Sequence, residues 1–258
     1  MNHLFNLQNK IVVITGASSG LGKDASKAYA QAGAKIAVLA RRKEKLDALA
    51  EELKAMGTDA IAIQCDVSNE ESVKKAVEQI MDYYGRIDVL LNNAGVGTAG
   101  SIETITSEVW DKTMDVNVKG IYLMSKYIVP HMKEKKYGKI VNISSVNAII
   151  GDKNPLLVRH AYNASKAAVL GLTTGMATSY MQHNITVNAV GPALFESEMT
   201  SESLFSSEDF MKLYNYICPA SRPAKKGELN GTLIYLSSDA SSYVTGQYIV
   251  VDGGISIV

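Results

Sequence analysis

Lys10-Ile11-Val12-Val13-Ile14 runs directly into Thr15-Gly16-Ala17-Ser18-Ser19-Gly20-Leu21-Gly22, and the reading of that junction decides the fold. The β-branched run predicts a strand. The stretch LGKDASKAYAQAG that follows carries its small and apolar residues at helical spacing and stops at Gly33. A strand, a tight glycine turn and a helix N-terminus present unpaired N–H groups and a positive dipole end to a diphosphate. Gly16, Ser18, Ser19, Gly20, Leu21 and Gly22 are therefore the first candidate ligands. The spacing is Gly-x3-Gly-x-Gly rather than G-x-G-x-x-G. Three glycines alone also mark a sharp turn, and it is the strand and helix on either side that favour the nucleotide.

The same rhythm continues along the chain. Strand-like runs recur at 35–40 (KIAVLA), 60–65 (AIAIQC), 87–91 (IDVLL), 138–144 (GKIVNIS), 184–190 (NITVNAV) and 247–254 (QYIVVDGG), separated by segments of helical period. Runs apolar on both faces and alternating with helices imply an α/β fold, a parallel sheet of about seven strands covered on both faces. In KEKLDALAEELKAMG, Leu46, Leu49, Leu53 and Met56 form the expected buried stripe of one such helix. No linker, repeat or low-complexity tract interrupts residues 1–258, so one domain is expected. Residues 193–218 depart from the rhythm. They are polar overall but carry Leu194, Phe195, Met199, Leu204, Phe205 and Phe210. They read either as a surface helical pair closing a core edge or as a substrate lid, with Leu194, Phe195 and Met199 on the substrate side.

Composition limits the partners. With 258 residues, 47% of them hydrophobic, the chain can bury a large core, and 26 basic residues offset 26 acidic ones. That balance gives no electrostatic reason to expect nucleic acid or an anionic membrane. The polar start MNHLFNLQNK does not read as a signal peptide, and no run approaches a membrane span. Cys65 and Cys218 have no CxxC spacing and read as free thiols, so the expected place is the cytoplasm. The four histidines have no metal-ligand spacing, and no metal is expected. Trp110 and the methionines read as core.

The end of the second strand should meet the adenosine ribose. A carboxylate there would repel a 2′-phosphate, whereas this chain has Arg41 and Arg42, which suits NADP(H). The alternative is that both only begin a solvated helix and NAD(H) is accepted. Asp66, with Val67 beside it, accepts from the adenine amino group or else caps the helix starting near Asn69. Asn93, Ala94 and Gly95 supply small residues where backbone passes close to a cofactor.

The chemistry concentrates in Tyr162-Asn163-Ala164-Ser165-Lys166. Residues four apart share a helix face, and an ammonium beside a phenol favours the phenolate, so Tyr162 can exchange a proton with an alcohol oxygen. Ser145, ending the fifth strand, is placed to hold that oxygen. Asn117, in DVNVKG, is placed to hold water or a carbonyl on a proton path toward Lys166. Each has a plain structural alternative. Together at the carboxyl edge of a parallel sheet they read as a site. His160 is either a loop histidine or a substrate contact.

TGASSGLG at 15–22, NNAG at 92–95, NVKG at 117–120, ISS at 143–145 and YNASK at 162–166 resemble the short-chain dehydrogenase/reductase family over essentially the whole chain. The resemblance implies a single Rossmann-type, doubly wound domain and NAD(P)(H)-dependent oxidation of a secondary alcohol or reduction of a ketone. It also implies a catalytic set of Asn117, Ser145, Tyr162 and Lys166, with Tyr162 and Lys166 on the cofactor as well. Lys166 would bind the nicotinamide ribose, Pro192 would lie beside the nicotinamide, and Ser197 would contact its carboxamide. A homotetramer or homodimer is implied too. Ala193 departs from the family's glycine after that proline. The step from Ser145 to Tyr162 leaves a polar substrate-side loop from Asn147 to His160. This is similar to the sugar-acid and polyol reductases, gluconate 5-dehydrogenases among them. The 3-oxoacyl-ACP reductases, the hydroxysteroid dehydrogenases and a non-catalytic nucleotide sensor are the alternatives.

Overall fold

A computed structural model of the chain describes residues 3–154, 157–196, 200 and 204–258. Seven strands form one parallel sheet in the order β3-β2-β1-β4-β5-β6-β7. They are β1 (Ile11–Thr15), β2 (Lys35–Ala40), β3 (Ala60–Gln64), β4 (Val89–Asn92), β5 (Gly138–Ile143), β6 (Ile185–Pro192) and β7 (Tyr248–Val251). The chain winds outward from β1 to β3, returns to β4 on the other side of β1, and continues to β7. The order reverses between β1 and β4, which opens a crevice above their carboxyl ends.

Helices cover both faces because the central strands are buried on both and largely apolar. On one face lie α1 (Gly20–Gln31), α2 (Lys43–Ala55) and α8 (Asn230–Ser237). Tyr29, Leu46, Leu49, Leu53, Leu233 and Leu236 pack there against Val12, Ile14, Ile36 and Val38. On the other face lie α3 (Glu70–Tyr84), α5 (Gly120–Lys135) and α6 (His160–Tyr180), packing Val73, Ile80, Leu123, Met124, Ile128 and Ala177 against Val13, Leu39 and Leu90. Burying each such Leu, Ile, Val or Met side chain is worth roughly 1.5–3 kcal/mol before the entropy cost of ordering it. Polar ties register the helices: the Tyr29 and Ser237 hydroxyls bond at 2.8 Å between α1 and α8, and Lys23 and Lys27 of α1 both reach Glu52 of α2.

Two expectations need correction. Met56 does not extend the α2 stripe. It stands at the C-cap, where the helical turn has ended, and is 42% exposed. Trp110, in α4 (Ser107–Met114), is only half-buried rather than core. Between α4 and α5 the helix carries a single π-turn, Asp115–Lys119. Among the described residues no helix is long and apolar enough to cross a membrane.

Candidate active site

A cavity of about 390 Å³ opens at the β1/β4 crevice, within the size of a small-molecule site. Its floor is the glycine turn. Gly16 has φ +66°, and a Cβ there would lie 2.7 Å from Ala94 Cα, so the turn needs glycine both for conformation and for room. Ser19 is the N-cap of α1, yet its side chain caps no α1 amide. Its hydroxyl instead accepts a hydrogen bond from Arg42 Nη2 at 2.9 Å. The first-turn N–H groups of α1 are left uncapped beside the cavity, which Ser18, Ser19, Gly20 and Leu21 line. Gly22 is not among the residues that line this cavity. It is buried so that α1 can pass Asn93, whose Nδ2 donates to the Thr15 and Gly16 carbonyls and ties β4 to the turn.

The two arginines after β2 part company. Arg42 donates to Ser18 Oγ at 2.9 Å and to Ser19, and so braces the glycine turn. Arg41 is exposed at the cavity rim, its backbone carbonyl held by Gln64 Nε2 at 2.8 Å. Asp66 and Val67 line the adjoining wall. Asp66 does not cap α3: Asn69 does so by accepting the Ser72 N–H, whereas Asp66 accepts from Ser68 N–H and Oγ at 3.0 and 2.6 Å. Asn93, Ala94 and Gly95 line the next stretch of wall.

Ser145, Tyr162, Lys166 and Pro192 line the far end of the same cavity. The Ser145 hydroxyl stands near enough to the Tyr162 phenol to pull it down, while its hydrogen bonds run to Asn147, from the Asn147 N–H at 3.2 Å and to Asn147 Oδ1 at 3.4 Å. Lys166 is 4% exposed, and its Nζ donates to the Ile143 carbonyl at 2.9 Å and sits 5.6 Å from the Tyr162 ring centre. Burial alone lowers the Lys166 ammonium to about 8. Burial also raises the Tyr162 phenol above its ordinary value, against smaller downward pulls from the Ser145 hydroxyl and the Arg159 charge. Asn117 is fully buried in the π-turn. Its Oδ1 accepts Val96 N–H at 2.8 Å, and its Nδ2 donates to Val96 O and Ser165 Oγ, both at 3.0 Å. A Cβ on Gly95 would stand 3.3 Å from Asn117 Oδ1 and 3.5 Å from Lys166 Nζ, so the asparagine fixes the segment that faces the lysine.

The substrate-side candidates divide. Phe195 lines the cavity. Leu194 instead packs with Tyr214 and Cys218 beneath α7 (Glu208–Ile217) and borders a second cavity of about 240 Å³. Asn147 and His160 do not line the main cavity. Asn147 N–H donates to Ser145 Oγ at 3.2 Å, and His160, at the start of α6, accepts Ile102 N–H at its Nδ1 at 2.9 Å. The loop between them is pinned by Asn163 Nδ2, which donates to the Asn147 and Ile150 carbonyls. Ser197 and Met199 lie outside the described residues. Cys65, Val96, Val116, Ser144 and Thr200 also line the cavity and were not singled out from sequence. Ser144 donates to the Lys166 carbonyl at 2.8 Å, seating α6 on β5. Its place directly before Ser145 at a strand end was the available signal.

The family model described as short chain dehydrogenase matches residues 10–206. A 3-oxoacyl-(acyl-carrier-protein) reductase of Thermotoga maritima is 38% identical over 97% of this chain and 99% of its own. A gluconate 5-dehydrogenase of Gluconobacter oxydans is 36% identical over 100% and 99%. A gluconate 5-dehydrogenase from Burkholderia cenocepacia, solved in complex with NADP and tartrate, superposes with a TM-score of 0.94 at 31% identity, covering 99% of this chain and 98% of that one.

Proposed function

The chain belongs to the short-chain dehydrogenase/reductase family, NAD(P)-dependent oxidoreductases acting on CH–OH groups, and on that premise we propose that it interconverts a polar secondary alcohol of the sugar-acid or polyol kind and its ketone, with NADP(H) preferred. The observation that carries this reading is one cavity lined at one end by uncapped helix amides and at the other by Ser145, Tyr162 and Lys166.

The residues present fit a dinucleotide. The α1 amides suit the diphosphate, Asp66 and Val67 the adenine, and exposed Arg41 a 2′-phosphate. Asn93, Ala94, Gly95 and Pro192 would wall the rest, and Lys166 and Tyr162 would hold the nicotinamide ribose. When bound, the nicotinamide supplies or accepts the hydride. The protein's part is the proton. Ser145 Oγ holds the substrate oxygen, and Tyr162 gives its proton to that oxygen in reduction and takes it back in oxidation. Lys166, brought beside the phenol by the i,i+4 spacing, stabilises the phenolate left behind. Asn117 acts through Val96, keeping the Gly95 segment against Lys166.

The polar loop from Asn147 to His160 and the likeness to gluconate 5-dehydrogenases support a sugar-acid or polyol. A 3-oxoacyl thioester is the second reading, supported by the apolar wall that Phe195 and Ala193 contribute beside Pro192 and by the relative of that activity. Phe195 and Thr200, both on the cavity wall, support the reading of their segment as a lid. We take the protein to work in the cytoplasm as a homotetramer, in keeping with two buried free cysteines and with apolar residues left exposed near the chain end, Tyr243 and Ile257 among them. The test is oxidation of NADPH at 340 nm with 5-ketogluconate, keto-polyols, acetoacetyl-CoA and an oxosteroid. Turnover fastest with 5-ketogluconate supports the reading, and turnover fastest with acetoacetyl-CoA or the steroid replaces its substrate. Silence with all of them leaves a nucleotide-binding protein without the reaction.

A further inference from the structure

Ser145 is held from behind by a residue outside the catalytic set. Strand β7 pairs with β6 so that Tyr248 lies opposite Ala189 and Val250 opposite Gly191. The Tyr248 side chain crosses β6 at Gly191, where a Cβ would run into the ring and its hydroxyl. Only a glycine leaves that passage open. Beyond it, Tyr248 Oη donates to the Ser145 carbonyl at 2.6 Å, at the short end for an O–H···O bond. The same carbonyl accepts Ala148 N–H at 2.9 Å, closing the turn Val146–Ala148. Two donors therefore occupy both lone pairs of one peptide oxygen, which fixes the plane from which the Ser145 side chain springs. Burial holds the Tyr248 phenol up at about 12, so it remains a donor through any working pH.

We propose that Tyr248 is a positioning residue for the reaction: by fixing the Ser145 carbonyl it aims Ser145 Oγ at Tyr162 and at the reacting oxygen. Gly191 is part of the same device, since its missing side chain is the path the tyrosine takes. The proposal rests on the reading of Ser145 and Tyr162 given above.

Tyr248→Phe keeps the ring over Gly191 and removes only the donor. It is compared with Ser145→Ala and with the double variant, using NADPH and whichever of 5-ketogluconate, acetoacetyl-CoA or an oxosteroid the wild-type protein reduces fastest. Tyr248→Phe should lower kcat by about three- to tenfold, the worth of one hydrogen bond, with the KM for NADPH unchanged. The alkaline limb of its pH profile for reduction should move to higher pH, because a loosened Ser145 no longer pulls the Tyr162 phenol down. A merely structural loss would lower stability without moving that limb. In the Ser145→Ala background the same substitution should have almost no further effect on kcat. If Ser145→Ala is impaired but Tyr248→Phe keeps the wild-type kcat and profile, or if the two losses multiply in full, this proposal is wrong and the reading of Ser145 stands. If Ser145→Ala turns over like wild type, or the wild-type protein reduces none of the three, the parent reading fails and takes this proposal with it.

Discussion

Tyr162 and Lys166 are both pushed toward their neutral forms by burial, the phenol upward and the ammonium to about 8. Each alone resists charging in that setting, and in the proposed mechanism the phenolate left by proton transfer relies on the Lys166 ammonium 5.6 Å from the Tyr162 ring centre. Tyr162→Phe should therefore depress turnover by about 10²-fold or more, the range of a lost general acid, while NADPH binding measured by fluorescence titration stays close to wild type. The arginines separate by role in the same way. Arg41→Ser should weaken NADPH by about tenfold, a lost charge-assisted contact, and leave NADH nearly unchanged. Arg42→Ala should weaken both, because it releases Ser18 and Ser19 of the glycine turn. The reverse pattern in the two Kd ratios would exchange their assignments. Sequence alone could not divide them: two adjacent arginines after a strand look alike until the side chains choose partners.

Among the elements, β5 carries an unusual load at its amino end. Lys139 is 2% exposed, and burial lowers its ammonium to about 8 against a weaker upward pull from Asp239. The folded value lies below the unfolded one, so the cost of holding the charge is fully present below pH 8 and fades as pH rises toward the unfolded value. Lys139→Met should therefore be more stable than wild type at pH 7, by about 1–3 kcal/mol, with the gain shrinking between about pH 8 and 10.5. Urea melts at pH 7 and pH 10 check it, and an equal difference at both would contradict it. The strands were legible in the sequence because runs such as Val89–Asn92 are buried along their whole length and so apolar on both faces. The α2 stripe was legible as far as Leu53 and overran at Met56, where periodicity carries no mark of the helix end. The π-turn at Asp115–Lys119 was not legible at all. One extra residue in a turn changes no residue type, yet it is the element that holds Asn117 against Val96 and Ser165.

For the whole molecule, the reversal of strand order between β1 and β4 brings residues as distant as Gly16, Asn93, Ser145 and Lys166 to one cavity. Motifs at strand ends could be placed from sequence because a parallel sheet sends all its carboxyl ends to one edge. His160 and Asn147 could not, since a loop residue's partner depends on how the loop folds back: here the His160 ring accepts the Ile102 N–H and the Asn147 N–H donates to the Ser145 hydroxyl. Tyr248 was equally hidden, reaching Ser145 from 103 positions away across an intervening strand. Tyr243 and Ile257, 93% and 84% exposed near β7, would give the proposed tetramer a place to form. Sedimentation velocity should show one species of four chains at micromolar protein, and a monomer at those concentrations would remove that assembly. NADPH oxidation at 340 nm with 5-ketogluconate, by the wild-type protein and Tyr162→Phe, tests whether this cavity joins a phosphate-binding helix end to a Ser-Tyr-Lys proton site acting on a polar ketone. Turnover by the wild-type protein, reduced about 10²-fold or more in the variant, is the predicted result; equal rates in the two, or none in either, would contradict it.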